Sequence, residues 1–161
     1  MSDTLGTLVA ARQSFHDNKP VAYLTQTVGQ TIATGGSASA VIFGAAQFDT
    51  WTGWSAGSPT VYTVKVSGLY SLNGIVLWTA NATGVRDALF VYNASTNITG
   101  SQVEIPASST SVNSIVLPRV FVQAVVGDTF KMETFQTSGG NLNTDVNGAM
   151  TSSMTVEWVR M

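Results

Sequence analysis

Polarity alternates with a period of two along residues 129–137, TFKMETFQT, and turn residues close the run on both sides, VVGD before it and SGG after it. Phe130, Met132, Thr134 and Gln136 fall on one face, with Lys131, Glu133, Phe135 and Thr137 on the other. A strand sends successive side chains to opposite faces, so this stretch predicts a strand between two turns. The same unit recurs at residues 21–27, 38–44, 60–66, 68–80, 85–93, 101–106, 111–125 and 153–161, separated by GGS, GSP, NATG, TSGGN and NGA. Many short strands with frequent turn signals exclude a βαβ arrangement and predict an all-β sandwich or barrel.

Two of these segments carry more information. Along residues 68–80, Tyr70, Leu72, Gly74, Val76 and Trp78 share one face, while Leu69, Ile75 and Leu77 make the other face substantially apolar too. A strand apolar on both faces is expected to be covered on both, by the second sheet on one side and by another subunit on the other. Within 111–125, Pro118 removes a ladder donor, which predicts an edge strand, a bulge, or two strands in place of one. Exposing both segments would leave a larger apolar patch than monomers tolerate, and this predicts a subunit interface through Leu69, Ile75, Leu77 and Phe121, the last on a face shared with Arg119 and Gln123.

Only 10% of the residues are charged, against about 25% in an ordinary soluble domain. Solubility must come from Ser, Thr, Asn, Gln and Gly. The net charge of −2 and the scatter of seven basic residues argue against nucleic acid as a partner. There is no cysteine, hence no disulfide or thiolate metal site. The chain starts without a basic segment leading into a long apolar run, and no stretch is long enough to cross a membrane as a helix, so a soluble chain made in the cytoplasm is expected.

The first twenty residues differ from the rest. Leu5, Leu8, Val9, Arg12 and Phe15 or His16 fit a helical stripe that Asp3 or Thr4 could cap. Such a short helix needs a surface to dock on. Two readings stand, a frayed terminus and an attachment arm; the division is residues 1–20 as arm and 21–161 as the folded domain.

Chemistry is sparse. His16, within the arm, is the one histidine, so an imidazole base or metal site is not expected, and neither is an enzyme or a cofactor. Asn141, Asn143, Asp145 and Asn147 in NLNTDVNG approach a calcium-loop pattern but lack its closing Glu, and are read as a polar loop. Asp128 is read as a turn residue. Asn81, Asn93 and Asn97 begin glycosylation triplets that a Ser/Thr/Asn-rich chain produces by chance. The segment 48–59, FDTWTGWSAGSP, groups Phe48, Trp51 and Trp54; these either plug one end of the core or, through Trp51 and Trp54, form a ligand loop.

The order of these motifs resembles the tumour necrosis factor-like and complement globular-head superfamily. Phe48 and Asp49, Gly68 and Tyr70, Arg86, Gly127 and Asp128, then Gln136, Ser138 and Gly139 match its sequence of signals. The resemblance implies a two-sheet antiparallel jelly roll of about ten strands, assembled as a tight homotrimer with one sheet of each subunit toward the threefold axis. The absence of cysteines, secretion signal and collagen repeat turns the expectation away from receptor signalling. Bacteriophages use the same jelly roll on virion surfaces. The expectation is therefore a capsid decoration (cement) or short head-fibre protein on the capsid exterior, held to the major capsid protein by Leu5, Leu8, Val9, Arg12 and Phe15. The rival expectation is a carbohydrate- or receptor-binding tip protein using Trp51 and Trp54.

Overall fold

The main strands of two sheets each turn one face to a shared interior, which is how the chain disposes of its apolar rows. The computed structural model describes residues 18–161, which form strands and no helix. These are β1 (Val21–Thr25), β2 (Thr31–Ile32), β3 (Ser39–Ala40), β4 (Ala45–Asp49), β5 (Tyr62–Thr63), β6 (Gly68–Trp78), β7 (Asn81–Tyr92), β8 (Thr96–Asn97), β9 (Val103–Ser108), β10 (Asn113–Ala124), β11 (Thr129–Gln136), β12 (Leu142–Asn143), β13 (Val146–Asn147), β14 (Met150–Thr151) and β15 (Ser153–Arg160). One sheet has the order β10-β6-β15-β1-β4. The other runs β3-β11-β7-β8, with β5 also on β11 and β9 also on β7. Two small ribbons, β2 with β12 and β13 with β14, complete the fold, and all these strand pairings are antiparallel. This is the all-β jelly roll expected.

Alternation in sequence becomes alternation in burial. On β11, Phe130, Met132, Thr134 and Gln136 are buried and the intervening residues are not. On β15, Met154, Val156 and Trp158 behave likewise. These rows meet Tyr70, Leu72, Val76 and Trp78 of β6, Ile115 and Leu117 of β10, and Ala88 and Phe90 of β7 in one core. Gly74 sits in the inward row of β6, where a Cβ would come within 2.8 Å of the Ser153 carbonyl oxygen, 3.0 Å of Met132 Sδ and 3.2 Å of Phe90 Cζ. The side chains opposite fill the space that a larger residue would need.

Pro118 behaves as both an edge and a bulge residue. β10 lies at the edge of its sheet, and its register against β6 shifts between Leu117 and Val120. It nevertheless remains one strand, because the bulge absorbs the missing donor. Elsewhere the sequence reading needs correction. The segment 38–44 shortens to β3, and the next strand, β4, takes in Phe48 and Asp49, which the reading had grouped with the aromatic loop. Ala45, Ala46 and Gln47 carry little strand signal, and β4 forms because it pairs with β1. β7 starts at Asn81 instead of residue 85, across an irregularity at Gly84, whose φ is +75° and whose Cβ position lies 2.1 Å from the Thr137 carbonyl oxygen.

The turn VVGD is tied on every side. Asp128 Oδ2 accepts the Val125 amide at 2.8 Å and the Tyr92 hydroxyl; Oδ1 accepts Asn93 Nδ2 at 3.1 Å, and Asn93 Oδ1 in turn accepts the Thr129 amide at 2.9 Å. Asp128 thus holds its own turn and the end of β7 together. The hydrogen bond from Tyr92, followed by those from Val125 and Asn93, lowers the pKa of the Asp128 carboxyl. A depressed carboxylate stabilises the fold above the unfolded-state value of about 3.9 and loses that contribution as pH falls through the folded value. Asp128→Asn is expected to lower the urea midpoint near neutral pH, and the gap to wild type should close as pH drops below about 3.9. A gap that is constant with pH would show that the carboxylate charge plays no part.

Candidate assembly face

Apart from the neighbours Asp87 and Glu104, the carboxylates of the described residues are engaged separately. Asp49 accepts the Trp51 and Trp54 amides at 3.3 and 2.8 Å, Asp87 accepts Gln102 Nε2 at 2.8 Å, and Asp145 accepts the Val146 amide at 2.9 Å. Glu133 pairs with Lys131, and Glu157 with Lys19 and Arg119. Glu104 is the register partner of Asp87; burial first, and then this neighbouring charge, raise the Asp87 pKa against the opposing effect of Gln102. Among the described residues no three metal-ligating side chains come together. His16, Leu5, Leu8, Val9, Arg12 and Phe15 lie outside the described residues.

The tryptophan loop is pinned. Trp51 Nε1 donates to the Asn18 carbonyl at 2.7 Å and Trp54 Nε1 to the Pro59 carbonyl at 3.2 Å, while Asp49 caps both backbone amides. Trp54 packs partly buried against the core. Their donors thus serve the fold, Trp54 within the loop and Trp51 toward Asn18. Residues 18–20 belong to the same construction. The Thr50 hydroxyl donates to the Lys19 carbonyl at 2.9 Å, and the Trp158 amide donates to the Pro20 carbonyl at 2.8 Å.

The remaining feature is the outward face of the β10-β6-β15-β1-β4 sheet. Register places Val116 beside Ile75, Ile75 beside Ser153, and Tyr23 beside both Thr155 and Phe48. Val116 is 63% exposed, Phe48 49% and Met150 49%. The Tyr23 and Phe48 rings lie 6.0 Å apart. An apolar belt therefore reaches from both edges, Val116 and Ile75 on β10 and β6 and Phe48 and Tyr23 on β4 and β1, with Ser153 and Thr155 of β15 between the two halves. At its middle is a hollow of about 170 Å³ lined by Tyr23, Ile75, Leu77, Ser114, Met150 and Ser153 among others.

Toward the other end of the face the surface turns polar. Glu157 Oε1 lies 2.5 Å from Lys19 Nζ and Oε2 lies 3.3 Å from Arg119 Nη2. Arg119 Nε donates to Ser71 Oγ at 2.5 Å, and its guanidinium stands 5.2 Å from the centroid of the Phe121 ring. Exposed pairs like these contribute about 1 kcal/mol or less to stability. Their effect is to fix Arg119 over Phe121.

Of the residues the sequence nominated for this face, Phe121 is 55% exposed, and Leu69 and Ile75 are half-buried. Leu77 is only 1% exposed within the single chain. Its amide donates to Ser152 Oγ, its carbonyl accepts from the Asp145 amide, and the β13–β14 ribbon lies over it. It floors the hollow and offers little area to a partner. Tyr23, Phe48, Val116 and Met150 were missed. Val116 and Tyr23 sit in alternating segments that did point to strands, but which face looks outward depends on pairing.

Comparison with solved structures places the chain among jelly rolls. It superposes on the globular domain of zebrafish complement 1qA protein with TM-score 0.62 at 13% identity, covering 89% of this chain and 100% of that one. Murine APRIL gives TM-score 0.64 at 12% identity, covering 86% and 98%. The Eiger tumour necrosis factor of S. frugiperda gives 0.57 at 13%, covering 89% and 95%. At these identities the likeness establishes the fold. No protein-family model matches the chain, and no curated protein matches it.

If the tryptophan loop is structural, Trp54→Ala should destabilise the fold by about 3 kcal/mol, the low end for losing a large packed aromatic. Chemical denaturation checks this. A loss under about 0.5 kcal/mol, the range of plain surface substitutions, would free the loop for a binding role.

Proposed function

We propose that this protein is a non-enzymatic structural protein that assembles as a homotrimer, with the outward face of the five-stranded sheet turned to the threefold axis. The observation that carries this reading is the apolar belt from Phe48 through Tyr23 and Ile75 to Val116, with Met150 over it. One face of this sheet is used up by the second sheet; the belt is apolar surface still in water, and burying it yields about 25 cal/mol per Å². A threefold contact is heterologous, so two different parts of the face, such as the β4 edge and the β10 edge, can meet around the axis. Leu69 and Phe121 would extend the contact toward the Lys19–Glu157–Arg119 group.

At the finer level, we infer a phage virion protein: a capsid decoration (cement) or short head-fibre protein on the capsid exterior, made in the host cytoplasm and bound to the major capsid protein through its N-terminal arm, residues 1–20. The amphipathic stripe Leu5, Leu8, Val9, Arg12 and Phe15 supports the arm. The ties from Asn18, Lys19 and Pro20 into the sandwich support a rigid exit point for it. Three weak arms on one rigid head bind together, because the first contact raises the effective concentration of the others. The rival reading, a carbohydrate- or receptor-binding tip, would use Trp51 and Trp54, whose indole donors are engaged by the Asn18 and Pro59 carbonyls.

Val116→Asp is expected to convert a trimer to a monomer in sedimentation velocity at micromolar concentration, while leaving the circular-dichroism melt cooperative, since Val116 is 63% exposed in the single chain. A trimer that survives the charge would move the interface off this face. Deleting residues 2–17 should leave the trimer folded and abolish its cosedimentation with empty capsids; undiminished binding would place attachment on the jelly roll.

A further inference from the structure

Trp78 ends β6, Arg86 lies near the start of β7, and Asn113 opens β10, so three polar side chains from both sheets meet at one end of the sandwich. Trp78 and Asn113 are register partners, which puts their side chains on the same face of their sheet about 5 Å apart at Cβ. Both face inward, at 0% and 6% exposure, and Arg86, fully buried, faces them from the other sheet with its guanidinium 5.8 Å from the centroid of the Trp78 ring. Asn113 Nδ2 donates to the Pro106 carbonyl at 2.9 Å, and Pro106 is the register partner of Val85, next to Arg86. The amide of Asn113 thereby reaches β9, the strand that pairs with β7 at Arg86.

The hydrogen bonds of this corner are nearly complete. Arg86 Nη1 donates to the Thr83 and Val85 carbonyls at 3.0 and 2.9 Å, and Nη2 to the Asn81 carbonyl and Oδ1 at 3.4 and 3.1 Å. That accounts for four of the five N–H groups of a guanidinium. The fifth, on Nε, finds no acceptor among the described residues; neither does Trp78 Nε1, and Asn113 Oδ1 receives no donor. The orientation of the Asn113 amide is not free to change, because Pro106 offers a carbonyl, which only an N–H can satisfy. Two donors and one acceptor therefore remain in one buried corner.

That combination selects its ligand. An anion would accept from both N–H groups but would face the lone pairs of Asn113 Oδ1. A cation would meet two N–H groups and a guanidinium. A water molecule accepts two hydrogen bonds and donates two, and buried waters typically make about three. We propose that this corner is a binding site for one internal water, accepting from Arg86 Nε and Trp78 Nε1 and donating to Asn113 Oδ1, so that it ties β6, β7 and β10 across the two sheets. It completes the solvation of a buried guanidinium that has no ion pair among the described residues.

Nuclear magnetic resonance on the full, unmutated chain tests this directly. With the Trp78 indole and Arg86 Nε proton resonances assigned, both should show water cross-peaks with the sign of a long-lived bound molecule, and both protons should exchange with solvent more slowly than the same groups on the surface. Titration with chloride at constant ionic strength should leave both shifts and the melting temperature unchanged. Absence of water cross-peaks at both protons overturns the proposal. Chloride-dependent shifts at the two protons, with a rising melting temperature, would assign the corner to an anion and overturn it as well.

Discussion

The structure depends on how β6 is covered. Its inward row packs Tyr70, Leu72, Val76 and Trp78 against the second sheet, and Gly74 lets Phe90 and Met132 come close at the centre. A sheet has two faces and a sandwich covers one of them. What covers the other decides the state of the molecule: the β13–β14 ribbon reaches over Leu77, the Lys19–Glu157–Arg119 group spans the far end, and the apolar belt between them stays in water. The candidate site is what is left of the same two-sided apolar strand that makes the core.

Polar groups handle the ends of the sandwich. Asp128 joins the VVGD turn to Tyr92 and Asn93, Asp49 caps the tryptophan loop, and Arg86 gathers the carbonyls around the irregular start of β7. With so few charges in the chain, these are spent on local geometry, each at a place where strands stop and backbone groups need partners. Tyr70 shows the same economy inside the core, where its hydroxyl donates to the Val66 carbonyl at 2.7 Å and burial raises its pKa to about 12.

Strands with a strong period of two could be read directly: β6, β10, β11 and β15 lie within the segments that alternation marked, and Pro118 signalled the edge and bulge that β10 has. What alternation could not reveal was anything that exists only through pairing. β4 is built from Ala45, Ala46 and Gln47 because β1 is there to receive it, and the two-residue ribbons β2–β12 and β13–β14 are too short to have a period. The same limit applies to the candidate site. Ile75 could be named because its strand is apolar on both faces, whereas Phe48 and Tyr23 become neighbours only through β1–β4 register, and Leu77 is hidden by a ribbon more than sixty residues away in sequence.

The central claim is that the apolar belt is an interface between copies of this chain. Native mass spectrometry of the unmodified protein at micromolar concentration tests it most directly. The account predicts a dominant species at three times the 16.9 kDa chain mass. A spectrum dominated by the single chain would contradict it, and would leave the belt facing water or some other partner.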